Sequence, residues 1–246
     1  MTVAAGRRRG RAAGPGGRAE TPRRPTFPLP TMTLADTLAR DLLRIGAVAL
    51  RPDDPFTWAS GRLSPVYTDN RLALGHPDVR SRIADGFAAV VRERFPGTDA
   101  VSATATAGIA PGALLADRLG LPFSYVRASA KGHGRGNRIE GAVGPGQRVV
   151  LVEDLVSTGG SVLGAAEALR QRGAEVTAAL AVFTYGFADA RAAFEAAGLP
   201  LVTLTDFEAL AGAARLSGAL GDGAQDALAD WRRDPAAWSR DRGGEG

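Results

Sequence analysis

The chain has no cysteine. That excludes a disulfide framework and a thiolate metal centre, and it permits a reducing cytoplasm, which is the expected location. Lysine is almost missing: of the 30 Lys+Arg residues, only Lys131 is lysine. Histidine is nearly as scarce, with only His76 and His133, and no serine precedes Ser60. The N-terminal stretch therefore lacks the serine of a transit peptide, and it lacks the apolar core of a secretory signal. No apolar run approaches the roughly 20 residues of a membrane-spanning helix, so no membrane partner is expected. Two nucleotide signatures are absent as well. There is no G-x-x-x-x-G-K-[ST], and no strand followed by G-x-G-x-x-G.

What is present divides into two parts. The first 31 residues hold seven arginines against the single acid Glu20, with five glycines and five prolines, a composition that cannot bury a core. Residues 1–31 are expected to be a disordered basic extension, with a true start at Met32 as the alternative reading. The extension carries +6 of the overall +4, leaving about −2 for Met32 to Gly246, so the pI near 10.2 describes the extension rather than the rest. Nucleic acid is accordingly not an expected partner. Residues 32–246 have the length and, with 45% hydrophobic content in the chain, the composition for one α/β domain.

The most informative stretch is V-V-L-V-E-D-L-V-S-T-G-G-S, Val149 to Ser161. Val149 to Val152 has the branching of a buried parallel strand, and Val162 to Arg172 carries apolar residues at helical spacing. Glu153 to Ser161 is thus expected on the strand-to-helix loop, where open α/β sheets bind ligands. Unpaired N–H groups at a helix start sit at the positive end of its dipole, so Ser157 to Ser161 can wrap a phosphate, with Gly159 and Gly160 allowing close approach. Carboxylates repel phosphate but accept from vicinal hydroxyls, so Glu153 and Asp154 suit a ribose diol, with Mg2+ as a further candidate nearby. The plain alternative is that Ser157 or Thr158 caps the helix and the acids are solvated.

A second candidate segment surrounds the lone lysine: R-A-S-A-K-G-H-G-R-G-N-R, Arg127 to Arg138. It is glycine-rich and almost acid-free, so it cannot bury a core. It is either a solvated loop or a segment that gathers around a polyanion. Arginine elsewhere replaces lysine, so the exception suggests a role for a compact, mobile ammonium, against the alternative of chance survival.

The remaining pattern alternates. Thr33 is expected to cap a helix from Leu34 to about Ile45. Phe56 to Gly61 and Ser64 to Asn70 read as a hairpin, His76 to Phe95 as a helix, Ala100 to Ala105 as a strand, Ile109 to Leu119 as a helix and Phe123 to Val126 as a strand. Arg148 to Leu155, Val176 to Thr184 and Leu201 to Thr205 read as later strands. Helices are expected at about Ser161 to Arg172, Ala188 to Ala197, Phe207 to Ser217 and Ala224 to Arg232. This βαβ order predicts an α/β fold with a mostly parallel sheet flanked by helices, hooded by the N-terminal pieces and last helices.

Taken whole, Val149 to Ser161 resembles the phosphoribosyl-pyrophosphate (PRPP) motif of type I phosphoribosyltransferases. The segment Y-V-R-A-S-A-K-G-H-G-R-G-N-R-I-E-G, Tyr125 to Gly141, narrows the resemblance to orotate phosphoribosyltransferases, whose loop reads Y-V-R-x-x-x-K-x-H-G and runs into an I-E-G strand. Phe56 to Arg71, Ala105 to Ala110 and the W-R-R-D-P-A-A-W ending at Trp238 also look like that family, so the similarity spans about Leu34 to Trp238. The resemblance implies a type I phosphoribosyltransferase fold and transfer of ribosyl 5-phosphate from PRPP to N1 of orotate, giving orotidine 5'-phosphate and pyrophosphate in UMP biosynthesis. It implies Arg127, Lys131 and His133 as catalytic, PRPP-binding cations. Glu153, Asp154, Leu155, Val156, Ser157, Thr158, Gly159, Gly160 and Ser161 complete the PRPP site, and Ser157 also touches orotate. It further implies Mg2+ held mainly through PRPP rather than by a dedicated protein site, and a homodimer in which residues 127–133 act in the neighbouring subunit's site. Many family members carry lysine where this chain has Ala59, Ala107 and Ala128, and some an orotate-binding arginine where it has Tyr185. Arg71 is the candidate for the orotate carboxylate, its alternative being a surface or ion-paired arginine. Two rival readings are a transferase for another base and a PRPP-binding sensor. The Lys131-x-His133 loop speaks against both.

Overall fold

The computed structural model describes residues 32–58, 60–129, 138–221 and 223–246. The expected extension, Ala59, Lys131 and His133 lie outside these residues. Helix α1 (Leu34–Arg44) starts as its sequence dictates. The Thr33 hydroxyl accepts from the Asp36 N–H at 3.1 Å and the Asp36 carboxylate accepts from the Thr33 N–H at 3.0 Å, a reciprocal capping box. The short strands β1 (Val48–Leu50), β2 (Phe56–Thr57), β3 (Leu63–Ser64) and β4 (Val66–Thr68) follow. The expected hairpin is real but shorter, because β2 pairs with β3 whereas β4 turns away to pair antiparallel with β1. The strand expected from Ser64 to Asn70 stops at Thr68. Asp69 accepts from the Arg71 N–H and caps a 3-10 turn, Asn70–Gly75.

The main body runs α2 (Pro77–Arg94), β5 (Ala100–Thr104), α3 (Ile109–Leu119), β6 (Phe123–Val126), β7 (Ile139–Gly141), β8 (Arg148–Val156), α4 (Gly160–Gln171), β9 (Glu175–Thr184), α5 (Ala188–Ala196), β10 (Leu201–Asp206), α6 (Phe207–Leu216), α7 (Ala224–Arg233) and α8 (Pro235–Arg240). Among the described residues six strands form one sheet in the order β10-β9-β8-β5-β6-β7, parallel except for β7. From β5 the chain steps outward to β6 and β7, then returns across β5 to lay down β8, β9 and β10 on its other side. The reversal leaves a crevice between the carboxyl ends of β5 and β8, where an open α/β sheet receives ligands.

Alternation along β8 builds both faces of the sheet. Val150 and Val152 join Phe87, Leu115 and Leu180 under α2 and α3, while Val149 and Leu151 join Val162, Leu169 and Phe194 under α4 and α5. A third core unites the N-terminal pieces with the late helices, as the expected hood requires. Trp231 is fully buried there, with its ring 5.4 Å from Tyr185 and 5.6 Å from Phe207. Truncating such a side chain costs about 3 to 5 kcal/mol. Helix α8 adds a polar tie, its buried Ser239 hydroxyl accepting from the Leu63 N–H at 2.9 Å.

Candidate active site

Strand β8 carries the two acids itself. The loop expected from Glu153 onward begins only at Ser157, because the ladder with β9 persists to the Val156 and Thr184 pair. Glu153 is 7% exposed, yet both carboxylate oxygens are satisfied: Oε1 accepts from the Asp154 N–H at 3.0 Å and Oε2 from the Ser161 hydroxyl at 3.1 Å. Burial pushes the Glu153 carboxyl up to about 7, and the neighbouring Asp154 charge adds to the rise. Asp154 is half-buried, and burial raises its carboxyl too.

The turn that follows is built for an anion. Gly159 is the N-cap of α4 at φ +85°, a left-handed conformation, and a Cβ there would lie 2.6 Å from the Phe194 ring. Among the described residues no side chain caps this helix, so its first N–H groups remain open toward the exposed Gly160 and Ser161. The reading of Ser157 or Thr158 as a simple helix cap is thereby set aside.

Facing that turn is a recess of about 190 Å3, lined by Thr104, Ala105, Arg127, Arg138, Gly160 and Ser161 among others. Arg127 lies 3.6 Å from Glu140 Oε1. Its backbone is pinned to Arg138: the Arg127 N–H donates to the Arg138 carbonyl at 2.8 Å, and Arg138 Nε returns a bond to the Arg127 carbonyl at 2.9 Å. The two ends of the lysine-bearing segment thus meet beside the phosphate turn. Across β5, Asp154 lines a tighter cleft with Asn70, Arg71, Ala107 and Pro111. The close approach of α3 to the crevice requires Gly108, where a Cβ would sit 2.6 Å from the Val152 carbonyl oxygen.

Arg71 is in the cleft, but its guanidinium is held by Asp69, Nε to Oδ1 at 2.7 Å and a second bond at 2.9 Å, while its side chain stays 63% exposed. Tyr185, at the position of the family arginine, is a core residue. It is 3% exposed, donates to the Thr68 hydroxyl at 3.1 Å, and burial pushes its phenol up to about 12. Asn70 is the site residue that sequence reasoning missed, since its contact with the Asp154 carbonyl crosses 84 residues. Grooves of about 590 and 700 Å3 lie beside α5 and between α1 and α6, and neither is lined by Glu153, Asp154 or residues 157–161. Among the described residues no three His, Cys, Asp or Glu side chains converge as a metal cage, and no helix is long and apolar enough to cross a membrane.

Comparison with known proteins agrees with this geometry. The family model of the phosphoribosyl transferase domain matches residues 76–193. The orotate phosphoribosyltransferase of Bacillus pumilus (strain SAFR-032) is 50% identical over 202 residues, covering 82% of this chain and 95% of the relative. Among solved structures, orotate phosphoribosyltransferase from Aeropyrum pernix superposes with a TM-score of 0.65 at 35% identity, over 75% of this chain and 99% of that one. The Mycobacterium tuberculosis H37Rv enzyme in complex with PRPP gives a TM-score of 0.58 at 25% identity, over 72% and 98%.

Proposed function

This chain belongs to the orotate phosphoribosyltransferases, and from that premise we propose how its own residues carry the reaction. The protein transfers the 5-phosphoribosyl group of PRPP to orotate, giving orotidine 5'-phosphate and pyrophosphate in pyrimidine biosynthesis. The observation that carries the assignment of parts is the uncapped start of α4 beside the acid-bearing end of β8.

In this reading the first N–H groups of α4 and the Ser157–Gly160 turn hold the 5-phosphate. Asp154 accepts from ribose hydroxyls. Glu153, whose oxygens brace Asp154 and Ser161, faces the same sugar from the turn side. As N1 of orotate bonds to C1 and gives up its proton, the C1–O bond breaks with its electron pair remaining on pyrophosphate. Positive charge grows on the sugar and negative charge on the leaving group. Arg127, with Lys131 and His133 that follow it in sequence, stabilises that negative charge more in the transition state than in the ground state.

The donor set fits a PRPP-borne Mg2+, because Glu153 is engaged by protein donors while the half-buried Asp154 carboxylate lines the cleft, and Mg2+ is bound through one or two carboxylates plus phosphates and water. Bound there, it would offset charge on the pyrophosphate. The assembly we infer is a homodimer with residues 127–133 serving the neighbour's site. Support comes from Leu72 and Leu74 on the 3-10 turn beside Asp154, 46% and 41% exposed, which such a contact would cover. A cytoplasmic location accords with substrates that are multiply charged anions, and residues 1–31 are read as a dispensable extension. Ultraviolet loss of orotate in the presence of PRPP and Mg2+, run beside adenine, hypoxanthine and uracil, tests the whole. Turnover of another base in place of orotate would overturn it.

A further inference from the structure

The ladder between β5 and β8 ends at the Ala103 and Val152 pair, one residue before β5 itself ends at Thr104, whose carbonyl is taken by the Gly108 N–H of the turn into α3. Asp154 lies two residues further along β8, and with a period of two its peptide groups face the same side, into the gap that β5 vacates. A backbone carbonyl and N–H so placed need other partners. The N–H is taken by Glu153 Oε1, and the carbonyl accepts from Asn70 Nδ2 at 2.8 Å. Asn70 itself is held rigidly. The Asp69 N–H donates to the carbonyl of Ala47, the residue before β1, at 2.7 Å, and the Asp69 side chain caps the turn on which Asn70 stands.

Asn70 is 5% exposed, and its Oδ1 is buried with no hydrogen-bond donor among the described residues. The gain from one made bond is offset by the cost of one buried unpaired acceptor, so this side chain adds little or nothing to folding. Its presence needs another reason, and the amide ends on the backbone of the acid that faces the sugar. We propose that Asn70 is a positioning residue that fixes the Asp154 backbone at the switch point and thereby sets where the Asp154 carboxylate meets PRPP. The proposal rests on the phosphoribosyltransfer reading given above.

The test measures PRPP binding by calorimetry with Mg2+ and no base, beside steady-state kinetics and melting temperature. Asn70→Leu keeps the shape without the amide. Asn70→Asp keeps the shape and sets an acceptor against the Asp154 carbonyl, and it decides alone if the first variant does not fold. Each is expected to bind PRPP about tenfold more weakly and to lose kcat/KM for PRPP in proportion, while the orotate KM stays within about twofold and the melting temperature within a few degrees. Parental PRPP affinity in a folded variant overturns the proposal. So does loss of PRPP and orotate binding together in step with a falling melting temperature, which is what a purely structural role produces. A parent protein that binds PRPP without consuming orotate would refute the functional reading instead, and leave the Asn70 measurement intact.

Discussion

Glu153→Gln separates the stability of the site from its function. In the unfolded chain Glu153 ionises near 4.5, but burial in the fold raises its carboxyl to about 7. Between those values the folded state binds more protons than the unfolded state, so this group makes the protein less stable as pH rises from about 4.5 to about 7. At about 1.4 kcal/mol per pH unit the penalty at pH 8 has a ceiling of about 3 kcal/mol. Glutamine has the same shape and no charge. Its oxygen can accept from the Asp154 N–H, and the Ser161 hydroxyl can rotate to accept from its amide, so neither present bond is lost. The variant is therefore expected to gain about 1 to 3 kcal/mol over the parent at pH 8, and nothing at pH 4.5, where the parent is itself protonated. For a domain of this size that is a rise of roughly 2 to 10 °C in melting temperature. Its affinity for PRPP should fall, since a charge-assisted acceptor worth about 1.5 to 3 kcal/mol is gone. Denaturation of both proteins from pH 4.5 to 8 reads the difference directly. Parallel stability curves, or a variant destabilised at pH 8, would refute the account of a desolvated carboxylate.

Removal of residues 1–31 is expected to leave activity, melting temperature and assembly unchanged, because that composition offers nothing with which to dock. A clear fall in any of the three would show otherwise. Arg71→Ala should weaken orotate more than PRPP in initial-rate measurements, because a carboxylate in a closed site needs a cationic or multiple N–H partner. An unchanged orotate KM would leave Arg71 as the ion-pair partner of Asp69 and nothing more. Lys131→Ala and Asp154→Asn should each be nearly inactive, yet an equal mixture should regain about a quarter of the parental sites once subunits exchange at random. No recovery after verified exchange would place the lysine in its own subunit's site.

Local chemistry was readable and long-range chemistry was not. The Thr33 cap, the full extent of α3 from Ile109 to Leu119 and β6 from Phe123 to Val126 follow from residues adjacent in sequence, and the structure reproduces them. Within the motif the sequence pattern ends strand β8 at Val152, because two acids look like loop. They remain on the strand since Glu153 finds its donors within eight residues, at Asp154 and Ser161. Strand β1 escaped notice because Val48, Ala49 and Leu50 show no alternation, and it exists only through pairing with β4. The strand expected to reach Asn70 is ended early by the Asp69 side chain, which caps a 3-10 turn. Helix α8 has a start signal in Asp234 before Pro235, but its 6 residues carry too little periodicity to mark a helix. Asn70 had no signal of its own, being one polar residue whose meaning depends on where β5 departs from the sheet.

The bond between Leu63 and Ser239 has a consequence for how the protein is made. It joins residues 176 apart, so the hairpin of β2 and β3 leaves the ribosome long before its docking surface on α8 has been translated. At about 5 to 20 residues per second that interval is about 10 to 35 s, during which the residues near Phe56 and Trp58 have no cover from Trp231. The parallel sheet has all its strands by Asp206 and can begin to collapse within that time. The two halves of the hood are therefore made at opposite ends of synthesis, and the early half waits exposed until α7 and α8 complete it.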